Sequence, residues 1–133
     1  MPFHSTVDRE RGRGSRTWEG VVNAEEFEEL LQLLAHDESL AGLNWVVDMR
    51  KVERIDISPD ELMRLSKVAH AIKEETAAPR SAIVVADDAV AVKMEFYAAA
   101  RGVHAHAQRD VRVFRDIDHA QQWLVQDWPL TDD

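Results

Sequence analysis

The sequence predicts a mixed α/β fold: a mostly parallel sheet opened by an antiparallel hairpin, with about four helices, in the order β-β-α-β-α-β-α-β-α. Three observations carry this. The runs LNWVVD (43–48) and SAIVVA (81–86) are almost continuously apolar, as strands covered on both faces are. Each is followed by a segment with apolar residues at helical spacing, and strand–helix alternation implies parallel strands joined by right-handed crossovers. The start differs: two β-like runs flank Arg11-Gly12-Arg13-Gly14, where glycine permits the positive φ of a turn. At 133 residues the whole chain, 1–133, reads as one domain, with a core from about 7 to 125 and a frayed tail over 126–133.

Taken in order, Phe3–Arg9 and Arg16–Val22 are the hairpin strands. Asn23 is placed to cap the first helix, with Glu26 as its reciprocal partner. Phe27, Leu30, Leu31 and Leu34 form that helix's buried stripe, and it stops near His36 or Asp37. The strand Leu43–Asp48 follows, then a charged loop, RKVERIDI (50–57), from which Val52, Ile55 and Ile57 dip inward. Ser58 caps the second helix, Pro59 takes a first-turn position where its missing N–H costs nothing, and Glu61 completes a capping box. Leu62, Leu65, Ala69 and Ile72 give its apolar face. After the strand at Ser81–Ala86, Asp87 or Asp88 caps a helix near Ala89–Arg101 that turns Val90, Met94, Tyr97 and Ala98 inward. Asp110–Arg115 is the last strand, and Asp116 caps a final helix carrying Ile117, Ala120, Trp123 and Leu124.

Composition excludes several classes. The formal charge of −9 argues against nucleic acid as a partner, because phosphate backbones need a basic face. Arg9, Arg11, Arg13 and Arg16 read as a solvated hairpin tip, with a patch for an acidic partner as the alternative. There is no cysteine, hence no disulfide framework and no thiolate chemistry. No stretch resembles a signal peptide or reaches membrane-spanning length, so the cytoplasm is the expected place.

Few side chains suggest chemistry. Asp48 and Asp56, expected at one end of the sheet, form a carboxylate pair of the kind used in acid–base catalysis. No nucleophile with an adjacent base and no glycine-rich phosphate loop accompanies them. Asp48 is therefore read as a cap for loop N–H groups and Asp56 as support for the helix start or a partner contact, and no catalytic residue is assigned. His104 and His106 have His-x-His spacing, but only Asp110 or His70 are on hand as further ligands; a polar loop is the reading, and no metal or other cofactor is expected. Lys93, Tyr97 and Arg101 lie at i, i+4, i+8 and can line the edge of a pocket for an anionic ligand. The plainer reading half-buries Tyr97 and leaves both cations in water. Trp18, Trp45 and Trp123 are packing residues, and Trp128 sits exposed or in a dimer contact.

The element order and the stretch from Asp48 to Pro59 resemble the STAS domain of bacterial anti-sigma-factor antagonists. There a strand ends in an acid or amide and an Asp-Ser-Ser-Gly-type motif opens the next helix. Asp48 matches the strand end, Asp56 the motif's acid, and Ile57, Ser58 and Pro59 the remaining positions. VRVFRDIDHAQQWL (111–124) is similar to the SpoIIAA-like branch, with its acidic cap and Ala-x-x-Trp-Leu ending, and MEFYAAARG (94–102) is compatible with that branch's penultimate helix. The resemblance spans about Val7 to Leu124. It implies a non-enzymatic regulatory domain that docks a protein partner through Asp48, Asp56, Ile57, Ser58 and Glu61. One departure matters: the residue after the motif's acid, a phosphorylated Ser or Thr in the regulatory proteins, is Ile57, and the motif's glycine is Pro59. The alternative is a small-molecule or lipid carrier, since the SpoIIAA-like branch is similar in fold to lipid-carrying domains. Its pocket, for a hydrophobic or anionic ligand, is expected between sheet and helix around Lys93, Met94, Tyr97, Arg101 and Trp123. A homodimer is compatible with either reading.

Overall fold

In the computed structural model, which describes residues 3–40, 42–71, 79–102 and 109–125, the elements follow the expected order. They are β1 (Phe3–Asp8), β2 (Arg13–Asn23), α1 (Ala24–His36), a 3₁₀ turn (Glu38–Leu40), β3 (Asn44–Asp56), α2 (Pro59–His70), β4 (Arg80–Val84), α3 (Asp88–Gly102), β5 (Asp110–Phe114) and α4 (Ile117–Val125). Ile72, His104, His106 and Trp128 lie outside the described residues. The sheet order is β1-β2-β3-β4-β5, with β1 antiparallel to β2 and each later pair parallel.

Three right-handed crossovers that each step one strand in the same direction place their helices on the same face. α1, α2 and α3 accordingly share one core with Trp18, Met49 and Ile83. α4, which follows the last strand, covers the other face, with Ala120, Trp123 and Leu124 over Val46, Ala82 and Val84. Successive side chains of a strand point to opposite faces, so β4 sends Ala82 and Val84 to one core and Ile83 to the other. That is why its sequence is apolar without alternation.

Helix starts are locally encoded. Asn23 and Glu26 form a complete capping box. Asp87 Oδ2 accepts from the Val90 N–H, and Asp116 Oδ1 from the Asp118 N–H. Ser58 Oγ accepts from the Glu61 N–H at 3.2 Å, but the box is one-sided. The Glu61 carboxylate turns outward to Arg64, which also reaches Glu28 of α1.

Three local expectations are corrected. First, the charged stretch 50–56 is no loop: β3 runs unbroken from Asn44 to Asp56, paired with β2 to its last residue. From Thr17 to Glu19 β2 advances two residues while β3 advances three, and from Gly20 to Val21 it advances one while β3 advances two. Each bulge adds one residue to β3, so its inward positions, Met49, Val52 and Ile55, fall three apart instead of two or four. A bulged strand thus hides its own period. Second, Gly14 belongs to β2, not to the turn; the Trp45 ring lies where its Cβ would be. Of the two glycines only Gly12, at φ 63°, serves the turn. Third, Arg16 is no part of a solvated tip. It is 3% exposed, inside the larger core.

Candidate functional site

The start of α2 is built from β3 upward. Asp56 closes the strand opposite Asn23 and is exposed. Ile57 is 3% exposed and packs in the core, so its side chain is scaffold and offers no surface anchor. Its carbonyl accepts from the Lys93 ammonium of α3. Lys93 thereby ties α3 to the residue preceding the Ser58 cap. Asp60, exposed, and Glu61, half-buried, sit in the first turn, where negative charge is favoured by the helix dipole.

Asp48 is not beside Asp56. It pairs with Thr17 and Val84 in the middle of the sheet, six β2 steps away from the Asn23–Asp56 pair, a separation on the order of 20 Å. No acid–base pair is assembled. Asp48 Oδ1 accepts from the Arg50 N–H at 3.0 Å, and the Arg50 guanidinium grips both carboxylate oxygens at 2.9 and 2.8 Å. Those hydrogen bonds hold the Asp48 carboxyl below its usual range, against a smaller opposing effect of burial. The Asp48 carboxylate is thus committed to Arg50 of its own strand, beside the first bulge of β3.

The concave feature lies at the other end of the molecule. A cavity of about 90 Å³ opens between the sheet and the C-terminal halves of α1 and α3. Phe27, Leu30, Leu31 and Leu34 of α1 form one wall; Trp45, Val47 and Met49 of β3 form the floor. Met94 and Tyr97 of α3 close it, and Ala69 of α2 touches it. An aromatic series steadies the wall: Phe3 to Trp18 at 4.7 Å between centroids, Trp18 to Phe27 at 6.1 Å, and Phe27 to Tyr97 edge-on at 5.0 Å. Ligands of open parallel sheets ordinarily sit beyond the carboxyl ends of the strands; this cavity is at the amino ends.

Its polar part is cationic. Arg16, Arg101 and Arg109 all line it, and all are buried. Arg16 stacks on Trp45, 4.0 Å from the ring centre, and its Nε donates to Ser5 Oγ at 3.1 Å. Burial, and then the charge of Arg109, lower its pKa to about 10. Arg109 is a staple: its Nη1 donates to the carbonyls of Leu43 and Arg80, at 2.8 and 3.2 Å, and to Ser81 Oγ. Arg101 Nη1 donates to the Tyr97 hydroxyl at 3.4 Å. Burial pushes the Tyr97 pKa up, and the nearby arginines pull it partly back. Arg101 is therefore not in water, and Tyr97 is fully inside.

Of the five residues expected around a pocket, the fold brings Met94, Tyr97 and Arg101 to the cavity and keeps two away. Lys93 is at the α2 start, described above. Trp123 is on the opposite face of the sheet, between Arg80 and Arg112, 5.2 and 5.0 Å from its ring centre, and against Phe114. Sequence reasoning missed Arg16 and Arg109. Arg16 carried a signal: it alternates with Gly14 and Trp18, so a core Trp18 implies an inward Arg16. Arg109 carried none, because its partners are 28 to 66 residues away. Among the described residues, no group of three or more potential ligands is placed to hold a metal ion, and no helix is long and apolar enough to cross a membrane.

Comparison with known proteins bears on the fold and the family. The SpoIIAA-like family model matches residues 15–125. The chain belongs to the SpoIIAA-like family. A solved structure with a SpoIIAA-like fold, an uncharacterized protein of the DUF3478 family from Shewanella loihica PV-4, is similar at 17% identity and a TM-score of 0.55. The match covers 92% of this chain and 93% of that one. No curated protein matches. Membership places this SpoIIAA-like chain in the general class of STAS-like regulatory domains.

Proposed function

We propose that this SpoIIAA-like domain is a non-enzymatic binding module that takes a small, largely apolar molecule into the cavity between the sheet and α1 and α3. The observation that carries the reading is that cavity, apolar over most of its wall and cationic at one end. Its size sets the scale. At about 90 Å³ it is below the ~150 Å³ cavity that holds a benzene ring, and far below the several hundred Å³ of sites for drug-sized ligands. A short-chain compound fits this scale; a two-chain lipid does not. The absence of a hydroxyl at Ile57 removes phosphorylation at the position the regulatory relatives use, and ligand occupancy supplies another input.

A second reading keeps protein docking at the start of α2, through Asp56, Ser58 and Glu61. It is favoured by the family and by the exposed carboxylates of Asp56 and Asp60 beside a helix N-terminus. Native mass spectrometry of the protein isolated gently from its host separates the two. A small-molecule adduct that Met94→Trp abolishes supports the cavity reading. A protein-sized adduct with no small mass overturns it in favour of docking. The same spectrum reads out a homodimer.

A further inference from the structure

We propose that the cavity's ligand is a carboxylate with a short apolar body, its charged end held by Arg101 together with Arg16. This rests on the cavity reading above and specifies the chemistry of the head group. A guanidinium taken out of water is costly unless an anion or a full set of acceptors replaces its hydration. The three buried arginines differ in this respect. Arg109 spends its Nη1 on two backbone carbonyls and a hydroxyl and is explained by joining the starts of β3 and β4. Arg16 has the Trp45 face and Ser5, contacts that leave most of its donor fork for other use. Arg101 has one long contact, to Tyr97. It lies in the last turn of α3, where the helix dipole favours a cation but supplies no fork of acceptors. Among the described residues, no carboxylate pairs with either Arg16 or Arg101.

Arg16 and Arg101 line the same cavity, the first lowered in pKa by burial and the second held against Tyr97. A carboxylate matches a guanidinium fork with two parallel hydrogen bonds. The rest of the lining, Leu30, Leu31 and Met94 among it, is apolar and suits the ligand's body. Of the anions that offer a guanidinium fork two oxygens, a carboxylate is the smaller, which suits a cavity of about 90 Å³.

Calorimetry of the full chain with propanoate, butanoate and pentanoate, and with the three corresponding alcohols, tests this. The expected result is that an acid binds about tenfold or more tightly than the alcohol of equal length, the usual worth of charge-assisted hydrogen bonds. Arg101→Met should then bring acid and alcohol together, and Arg101→Lys, which keeps the charge without the fork, should fall between. Because the wild-type comparison of acid with alcohol needs no variant, a poorly folding mutant does not blunt the test. Equal binding of acids and alcohols leaves the cavity reading standing and overturns the carboxylate. Binding by neither series overturns both.

Discussion

The two ends of the parallel sheet are built in opposite ways. At the carboxyl end of β3, the start of α2 is made from neighbours in sequence: Ser58 caps the Glu61 N–H, Glu61 reaches Arg64, and Pro59 fits the first turn. Its side chains are polar and mostly exposed. At the amino end, the cavity is made from residues far apart in the chain. Arg16, Trp45, Arg101 and Arg109 come from four separate segments, and they place charge in an apolar setting. Short-range hydrogen bonds set the first end, and Lys93 and Arg64 add ties to α3 and α1. At the second, no carboxylate among the described residues pairs with Arg16 or Arg101. That pair is the basis of the carboxylate proposed above.

Substitutions at the two ends should therefore differ in size and kind. The largest effect is expected at the cavity wall. Trp18→Ala removes the centre of the aromatic series and should destabilise by about 3–5 kcal/mol in urea unfolding. Gly14→Ala comes next: the new Cβ would meet the Trp45 ring, a large rigid group already stacked on Arg16. A cost of about 1–3 kcal/mol is expected, with a matching change in tryptophan fluorescence. At the other end, Ser58→Ala loses one cap and should cost about 1 kcal/mol, with no change in ligand binding. A Ser58→Ala cost equal to that of Trp18→Ala would erase the contrast between local and non-local construction.

The smallest effect is electrostatic and belongs to the middle of the sheet. Asp48 titrates lower in the folded chain than its usual 3.8. Its contribution is therefore present above that unfolded value and is lost as pH falls through the lower native one. Denaturation curves of the wild type and Asp48→Asn should differ at neutral pH and converge in acid. A difference that persists unchanged below pH ~2 would show that the Arg50 contact is not its source.

Helix starts, inward stripes and the order of elements were legible because each rests on contacts within a few residues. Asn23, Ser58, Asp87 and Asp116 all cap as their types suggest. β3 was legible only to Asp48, since two bulges replaced its two-residue period with spacings of three. The pocket was half legible: helical spacing brought Met94, Tyr97 and Arg101 to attention, but the same spacing says nothing about Lys93 being drawn to the Ile57 carbonyl.

By itself, then, the sequence determined the elements, their order and the parallel character of the sheet, because capping and periodicity are short-range and topology follows from handedness. Tertiary structure alone decided which face each helix took, and so put Trp123 on the side away from Met94. It also decided that Arg16, Arg101 and Arg109 meet around one cavity. That meeting depends on strand register and on contacts such as those of Arg109, 28 to 66 residues from its partners, distances over which no local pattern survives.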